Sequence, residues 1–150
     1  MTDKKTILAI DDLPTQGLIY KAILGDQYNI RICKSAVEAL ELLNNLNVDM
    51  IITDIEMPEM TGFEFLQEKK KRANIREIPL IVASGYHDIS EAAKYGANDF
   101  ISKPVNPGVL HEKIKRLFEK GLNEKPQVTG SRISRGRNNI PPRPLDTSRT

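Results

Sequence analysis

Short apolar runs that stop on polar residues constrain this chain more than any other feature. Ile7-Leu8-Ala9-Ile10 runs straight into Asp11-Asp12, Met50-Ile51-Ile52-Thr53 into Asp54, and Leu80-Ile81-Val82-Ala83 into Ser84-Gly85. Each run is too short for a helix and does not alternate, the pattern of strands buried on both faces. A carboxylate at the end of such a strand is costly unless something compensates it. After Asp54, Pro58 and Gly62 force a turn before the next helix begins.

In chain order, Thr6–Ile10 reads as a strand. A helix follows from Pro14-Thr15 to about Leu24, with Leu18, Ile19, Ala22 and Ile23 as its apolar stripe. Residues 28–33 are a second strand. Ser35 is placed to cap the next helix, with Glu38 at the third position of a capping box. Residues 48–53 form the third strand. The helix from Gly62 to about Arg72 points Phe63 and Leu66 inward and ends in the solvated run Lys69-Lys70-Lys71-Arg72. Residues 79–83 are the fourth strand. A short helix spans Asp88 to Tyr95, with Gly96 as its C-cap. Residues 98–101 are the fifth strand. The last helix starts between Pro104 and Pro107, buries Val109, Leu110, Ile114, Leu117 and Phe118, and ends at Gly121.

Strands that alternate with helices pair in parallel through right-handed crossovers. Five of each in about 120 residues fit an α/β, doubly wound, flavodoxin-like (βα)5 domain. Its central five-stranded parallel sheet has order 2-1-3-4-5. The domain is placed at residues 1–122. Residues 123–150 are rich in Pro, Gly, Ser and Arg without a periodic apolar face, and read as a basic flexible tail.

Charge supports that division. From Glu124 to Thr150 six Lys/Arg stand against two Asp/Glu, so a net charge of +2 covers an acidic body and a basic tail. The tail lacks aromatic residues, so it offers no base-stacking platform, and no nucleic acid is expected at the folded domain. No apolar run approaches the ~20 residues of a membrane span. Residues 1–5 lead into the first strand too quickly for a signal peptide. Cys33 is the sole cysteine, which excludes an intrachain disulfide and points to a reducing, cytoplasmic setting. Cys33 reads as a small packed residue, and His87 and His111 as surface residues without ligand spacing.

In a parallel sheet Asp11, Asp12, Asp54, Ser84 and Lys103 all emerge at the carboxyl edge, where such folds bind ligands. Two carboxylates ~4 Å apart repel by roughly 4 kcal/mol at an effective dielectric of 20. Three in one place demand a cation, and hard oxygen ligands in a watery site suit Mg²⁺. A metal, the Lys103 ammonium and the Ser84 hydroxyl together match the outer oxygens of a phosphoryl group. Asp54 is left as the nucleophile.

Asp11-Asp12, Asp54 followed by Met57-Pro58 and Gly62, Ser84-Gly85, Gly96-Ala97 and Lys103-Pro104 stand in order at successive strand ends. With these residues, the chain resembles the receiver domain of two-component response regulators, in the manner of the single-receiver chemotaxis proteins, over roughly residues 5–121. The resemblance implies a phosphorelay phosphoprotein in signal transduction. Asp54 takes a phosphoryl group from phosphohistidine on a sensor histidine kinase or histidine phosphotransfer protein. Asp12, Asp54 and the backbone carbonyl of Glu56 hold Mg²⁺, and Asp11 acts mainly through water. Ser84 moves toward the phosphoryl oxygens, and Lys103 pairs with one of them. Gly85 leaves room for the donor, Glu56 and Tyr86 tune hydrolysis, and Phe100 rotates into the space Ser84 vacates. Such a chain is a switch rather than a metabolic enzyme, with an unidentified downstream protein and a phosphorylation-linked dimer among its expected states.

From Ser84 to Gly96 the chain is about three residues shorter than the family pattern, close to one helical turn. The loss falls in the fourth helix. Two other classes share part of this chemistry. A haloacid-dehalogenase-like phosphatase also uses an Asp nucleophile and Mg²⁺, but wants Asp where Glu56 stands and leaves Asp11-Asp12 unexplained. A flavin carrier needs a phosphate-cradling loop after the first strand, where this aspartate pair repels phosphate.

Overall fold

The structure is a computed structural model and describes residues 4–85 and 89–128. It divides into two units, residues 1–111 and 112–150. The first holds a five-stranded parallel sheet built from β1 (Thr6–Ile10), β2 (Asn29–Cys33), β3 (Met50–Asp54), β4 (Leu80–Ser84) and β5 (Asp99–Ser102). The strand order is β2-β1-β3-β4-β5, as the alternation of the sequence predicts. Strands β3 and β4 are buried along their whole length. Their Ile, Leu and Val side chains meet helices on both faces, which is why neither strand alternates.

Helix α1 (Pro14–Leu24) differs from expectation. Gly17, Tyr20 and Leu24 are its buried residues, while Leu18 is 67% exposed and Ile19 is also exposed. Gly17 explains the rotation. A Cβ there would sit 3.0 Å from Ile32 Cγ2, so the missing side chain lets α1 close on β2. That turns the larger Tyr20 and Leu24 inward at helical spacing. His111, expected at the surface, is half-buried, and its Nε2 lies 3.0 Å from the carbonyl of Ile23 in α1.

Helix α2 (Ala36–Leu43) starts at Ser35, whose Oγ accepts from the Glu38 backbone N–H at 3.0 Å. The Glu38 carboxylate reaches back one residue further than a capping box requires, to the N–H of Lys34. The complete capping box is at α3 (Gly62–Lys71), between Thr61 and Glu64. There Phe65 and Leu66 are buried and Phe63 only half-buried, so the inward face is one residue off from the expected Phe63 and Leu66. Lys69 corrects the sequence reading again. It is 5% exposed, with its ammonium on the carbonyl of Arg76 at 3.0 Å, and only its neighbours form a solvated end.

Where a fourth α-helix was expected there is a single 3-10 segment, Ile89–Tyr95. Its Ala92 enters the core, and Tyr95 stacks on Phe63 with ring centroids 4.9 Å apart. Tyr86 and His87 lie outside the described residues. Gly96 follows with φ +103°, a conformation glycine adopts without steric cost. Helix α4 (Pro107–Val128) does not stop at Gly121. One interior glycine costs only ~1 kcal/mol relative to alanine, too little by itself to end a helix. The remainder of the expected tail, residues 129–150, lies outside the described residues. Among the described residues no helix is long and apolar enough to cross a membrane.

Candidate functional site

Sheet register assembles the site. Ile10 pairs with Thr53, so Asp11 and Asp54 emerge side by side one step later. Asp54 in turn pairs with Ala83 on β4. Ser84 pairs with Ser102 on β5, which delivers Lys103 next to the strand end. The Lys103 backbone N–H donates to the Ser84 carbonyl at 2.8 Å, extending that ladder past the last strand residue. The Lys103–Pro104 peptide bond is cis.

Asp11 is 2% exposed. Its backbone N–H donates to the Cys33 carbonyl at 3.0 Å, and its Oδ1 accepts from the Leu13 N–H at 3.0 Å. Asp54 is 8% exposed, and its Oδ1 accepts from the Ile55 N–H at 2.7 Å. Lys103 Nζ bridges the pair, 2.7 Å from Asp11 Oδ2 and 3.4 Å from Asp54 Oδ2. Asp12 completes the acid group. One carboxylate oxygen from each of Asp11, Asp12 and Asp54 lies within 4.8 Å of the others. Burial pushes the Asp54 carboxyl up from its ordinary value. The Lys103 charge and the Ile55 N–H pull it down, and Asp11 pushes it up further. The net is upward because burial outweighs the help of the ammonium and the N–H.

The loop after β3 is shaped to hold Asp54 still. Gly62 N–H donates to the Ile55 carbonyl at 2.8 Å. A Cβ at Gly62 would collide with the Asp54 carbonyl oxygen and stand 2.9 Å from Ile55 Cα. Glycine is therefore required here for close approach as well as for turning, a signal that a turn motif alone hides. Between them, Glu59 has φ 72°, and the Met60 N–H closes on the Pro58 carbonyl at 2.8 Å. A non-glycine residue in that region stores strain, which tertiary packing must offset. Met57, buried in the core, supplies part of that packing.

The other expected residues are distributed around this group. Ser84 is buried at the end of β4. Gly85 is exposed with open space where a side chain would go. Glu56 is exposed on the loop after β3. Phe100, opposite Val82 in β5, is half-buried and packs against the core. Tyr86 lies outside the described residues. Sequence reasoning missed Tyr20, which is buried on α1.

The donor set fits a hard divalent cation such as Mg²⁺. It consists of carboxylate oxygens only, and its spread of up to 4.8 Å leaves room for water in the coordination shell. Thiolates and imidazoles, which would favour softer metals, do not belong to this group.

The sequence matches the response regulator receiver domain family over residues 7–115. A two-component response regulator of rice, ORR5 (Oryza sativa subsp. japonica), is 40% identical over 117 residues, spanning 75% of this chain and 87% of the relative. Among solved structures, a CheY-like response regulator receiver domain protein from Methanospirillum hungatei JF-1 aligns with TM-score 0.74 at 31% identity, covering 81% of this chain and 99% of that one. The signal receiver domain of a signal transduction histidine kinase from Syntrophus aciditrophicus gives 0.72 at 33% identity, covering 77% and 91%. With strand order, site register and sequence in agreement, the chain belongs to the response regulator receiver domain family.

Proposed function

We propose that this chain is a phosphoacceptor switch of a two-component phosphorelay, with Asp54 as the residue modified. The observation that carries the reading is the convergence of Asp11, Asp12 and Asp54 on one sheet edge with Lys103 between two of them. An Asp54 carboxylate oxygen attacks the phosphorus of a phosphohistidine. A P–O bond forms, the P–N bond breaks, and the released imidazole takes up a proton. Asp12, Asp54 and the Glu56 carbonyl would hold Mg²⁺, with Asp11 acting mainly through water, and the ion would supply charge neutralisation for the incoming phosphoryl oxygens. Lys103 pairs with a phosphoryl oxygen, and the Ser84 hydroxyl donates to another. Gly85 keeps the approach open, and Glu56 and Tyr86 border the path of hydrolytic water.

Phe100 is the proposed reporter of the change. It pairs with Val82 two residues before Ser84, so a shift of Ser84 alters its packing directly. Fully burying a phenylalanine is worth ~1.5–3 kcal/mol, less than the ~5.5 kcal/mol needed to invert a 1:99 population, so other contacts must share the switch.

The donor is a sensor histidine kinase or a histidine phosphotransfer protein, in the cytoplasm. The outward face of α1, where Leu18 and Ile19 are exposed, together with exposed Leu13 next to Asp12 in the chain, is the apolar surface proposed for that donor. Asp11-Asp12, which a phosphatase of the haloacid-dehalogenase type leaves without a role, have one here. Incubation with acetyl phosphate and Mg²⁺, followed by intact mass, tests the reading. One added phosphoryl group is expected in the wild type and none in Asp54→Asn. An unmodified wild type, or a modified Asp54→Asn, overturns it.

A further inference from the structure

Thr53 is buried in the central strand of the sheet, one residue before Asp54. Register places it in a row that crosses all five strands: Cys33, Ile10, Thr53, Val82 and Phe100. The other four belong to one apolar cluster. Valine has the shape of threonine and would fill the row without burying a hydroxyl, which is unfavourable unless the hydroxyl is hydrogen-bonded. The partner here is local. Thr53 Oγ1 donates to the carbonyl oxygen of Asp54 at 3.0 Å.

That carbonyl and the Ile55 N–H are the two ends of one planar peptide, so fixing the direction of the oxygen fixes the direction of the hydrogen. The Ile55 N–H donates to Asp54 Oδ1 at 2.7 Å, a short bond to a carboxylate. Asp54 Oδ2 is left on the side of Lys103, whose Nζ is 3.4 Å away. The same carbonyl oxygen also lies against the Gly62 backbone, where an added Cβ would collide with it. The Thr53 hydroxyl thus reaches the carboxylate through a single rigid peptide.

We infer that Thr53 is a positioning residue for phosphoryl transfer: its hydroxyl sets the Asp54–Ile55 peptide, whose N–H holds the Asp54 carboxylate in the orientation presented to phosphorus. The inference rests on the phosphoacceptor reading above and extends it to a residue outside the acid group. Attack on phosphorus needs one carboxylate oxygen aligned, and a carboxylate free to rotate spends less of its time aligned. Asp54 is the last residue of β3, so the peptide that follows it leaves the strand and is held by side-chain atoms instead.

Thr53→Val removes the hydroxyl and keeps the shape, whereas Thr53→Ser keeps the hydroxyl and loses a methyl group. Three measurements on the full chain test the inference: denaturant stability, the Ile55 amide proton shift without Mg²⁺, and the rate of phosphorylation by acetyl phosphate with Mg²⁺, taken well below the unfolding midpoint. In Thr53→Val the Ile55 amide proton is expected to move upfield as its bond to the carboxylate loosens. The rate is expected to fall about fivefold or more, the weight of one hydrogen bond. Thr53→Ser is expected to keep the amide shift and a rate within about twofold of wild type, although the lost methyl group destabilises it. A merely structural role would lower stability in both variants and leave the rate and the amide proton unchanged. A Thr53→Val rate within about twofold of wild type, an unmoved Ile55 amide proton, or a Thr53→Ser variant as slow as Thr53→Val overturns the inference while the phosphoacceptor reading stands. A wild type that takes up no phosphoryl group overturns that reading and the inference with it.

Discussion

Lys103 Nζ sits 2.7 Å from Asp11 Oδ2, joining residues 92 positions apart that follow β1 and β5, with β3 and β4 between them in the sheet. The same ammonium is 3.4 Å from Asp54. Without a divalent ion it is the compensating charge within reach of both carboxylates. Lys103→Ala therefore exposes the mutual repulsion of Asp11 and Asp54. A loss of about 2 kcal/mol in stability is expected without Mg²⁺, less than a fully buried pair would give because the Lys103 side chain keeps 15% exposure. Added Mg²⁺ should recover much of that loss, and should stabilise the variant more than it stabilises the wild type. Denaturant unfolding with and without Mg²⁺ checks this, and equal losses under both conditions would contradict the assigned role.

Asp54 gives a stability prediction with a definite sign. Its carboxyl titrates above 3.8 in the folded chain, because burial outweighs the help of Lys103 and the Ile55 N–H. The fold thus favours the protonated acid, and ionisation costs stability. That cost is absent below the unfolded value, sets in as pH rises from 3.8 through the folded value, and is complete above it. Asp54→Asn should be more stable than wild type at pH 7 without Mg²⁺, with the gap closing as pH falls toward 4. Denaturation midpoints at the two pH values decide it. A variant less stable at pH 7 would mean that the carboxylate is better compensated than its surroundings indicate.

Gly62→Ala should damage fold and site together. The added methyl collides with the carbonyl of Asp54, and backbone on both sides prevents escape. A loss of about 2–4 kcal/mol is expected, with phosphorylation by acetyl phosphate slowed by more than the stability change explains. Comparing rates well below the unfolding midpoint separates the two effects.

Lys69 supplies the pH dependence on the alkaline side. Burial lowers its ammonium from 10.5 to about 8, against a smaller opposite push from Glu77. Below pH 8 folded and unfolded chains both hold the proton. From about 8 to 10.5 the unfolded chain holds it while the folded chain releases it, so the Lys69 contribution makes stability rise with pH across that window. Lys69→Met should flatten this segment of the profile. Urea midpoints at pH 7 and 10 report the difference between the two proteins, and an unchanged slope would remove Lys69 as its source.

The acid group was legible because parallel topology sends every strand end to one edge. Polar residues after Ile10, Thr53, Ala83 and Ser102 then had to meet. A short helical segment before Gly96 was legible, though its 3-10 form was not, since local propensity separates the two poorly. What stayed hidden depended on close approach. Gly17 carries no hydrophobicity, so the stripe of Leu18 and Ile19 looked like the inner face of α1. Contact with Ile32 reverses that choice. Lys69 was hidden in the same way, because a run of four cations reads as solvated until one finds a carbonyl to hold.

That reversed face leads to a prediction about partner choice. Leu18 is 67% exposed on α1, with Ile19 beside it and Leu13 at the helix start next to Asp12. Leu18→Glu removes no core contact and should change stability by less than ~0.5 kcal/mol. A small donor such as acetyl phosphate reaches Asp54 without touching α1, so self-phosphorylation should proceed at the wild-type rate. In the proposed docking a protein donor brings its histidine to the same carboxylate across this surface, where burying leucine contributes and burying glutamate costs. Transfer from a phosphorylated histidine kinase or phosphotransfer protein should fall about tenfold or more, as a lower kcat/KM carried mainly by KM. Equal losses with both donors would place the defect inside the site, and equal rates with both would show that the donor docks elsewhere.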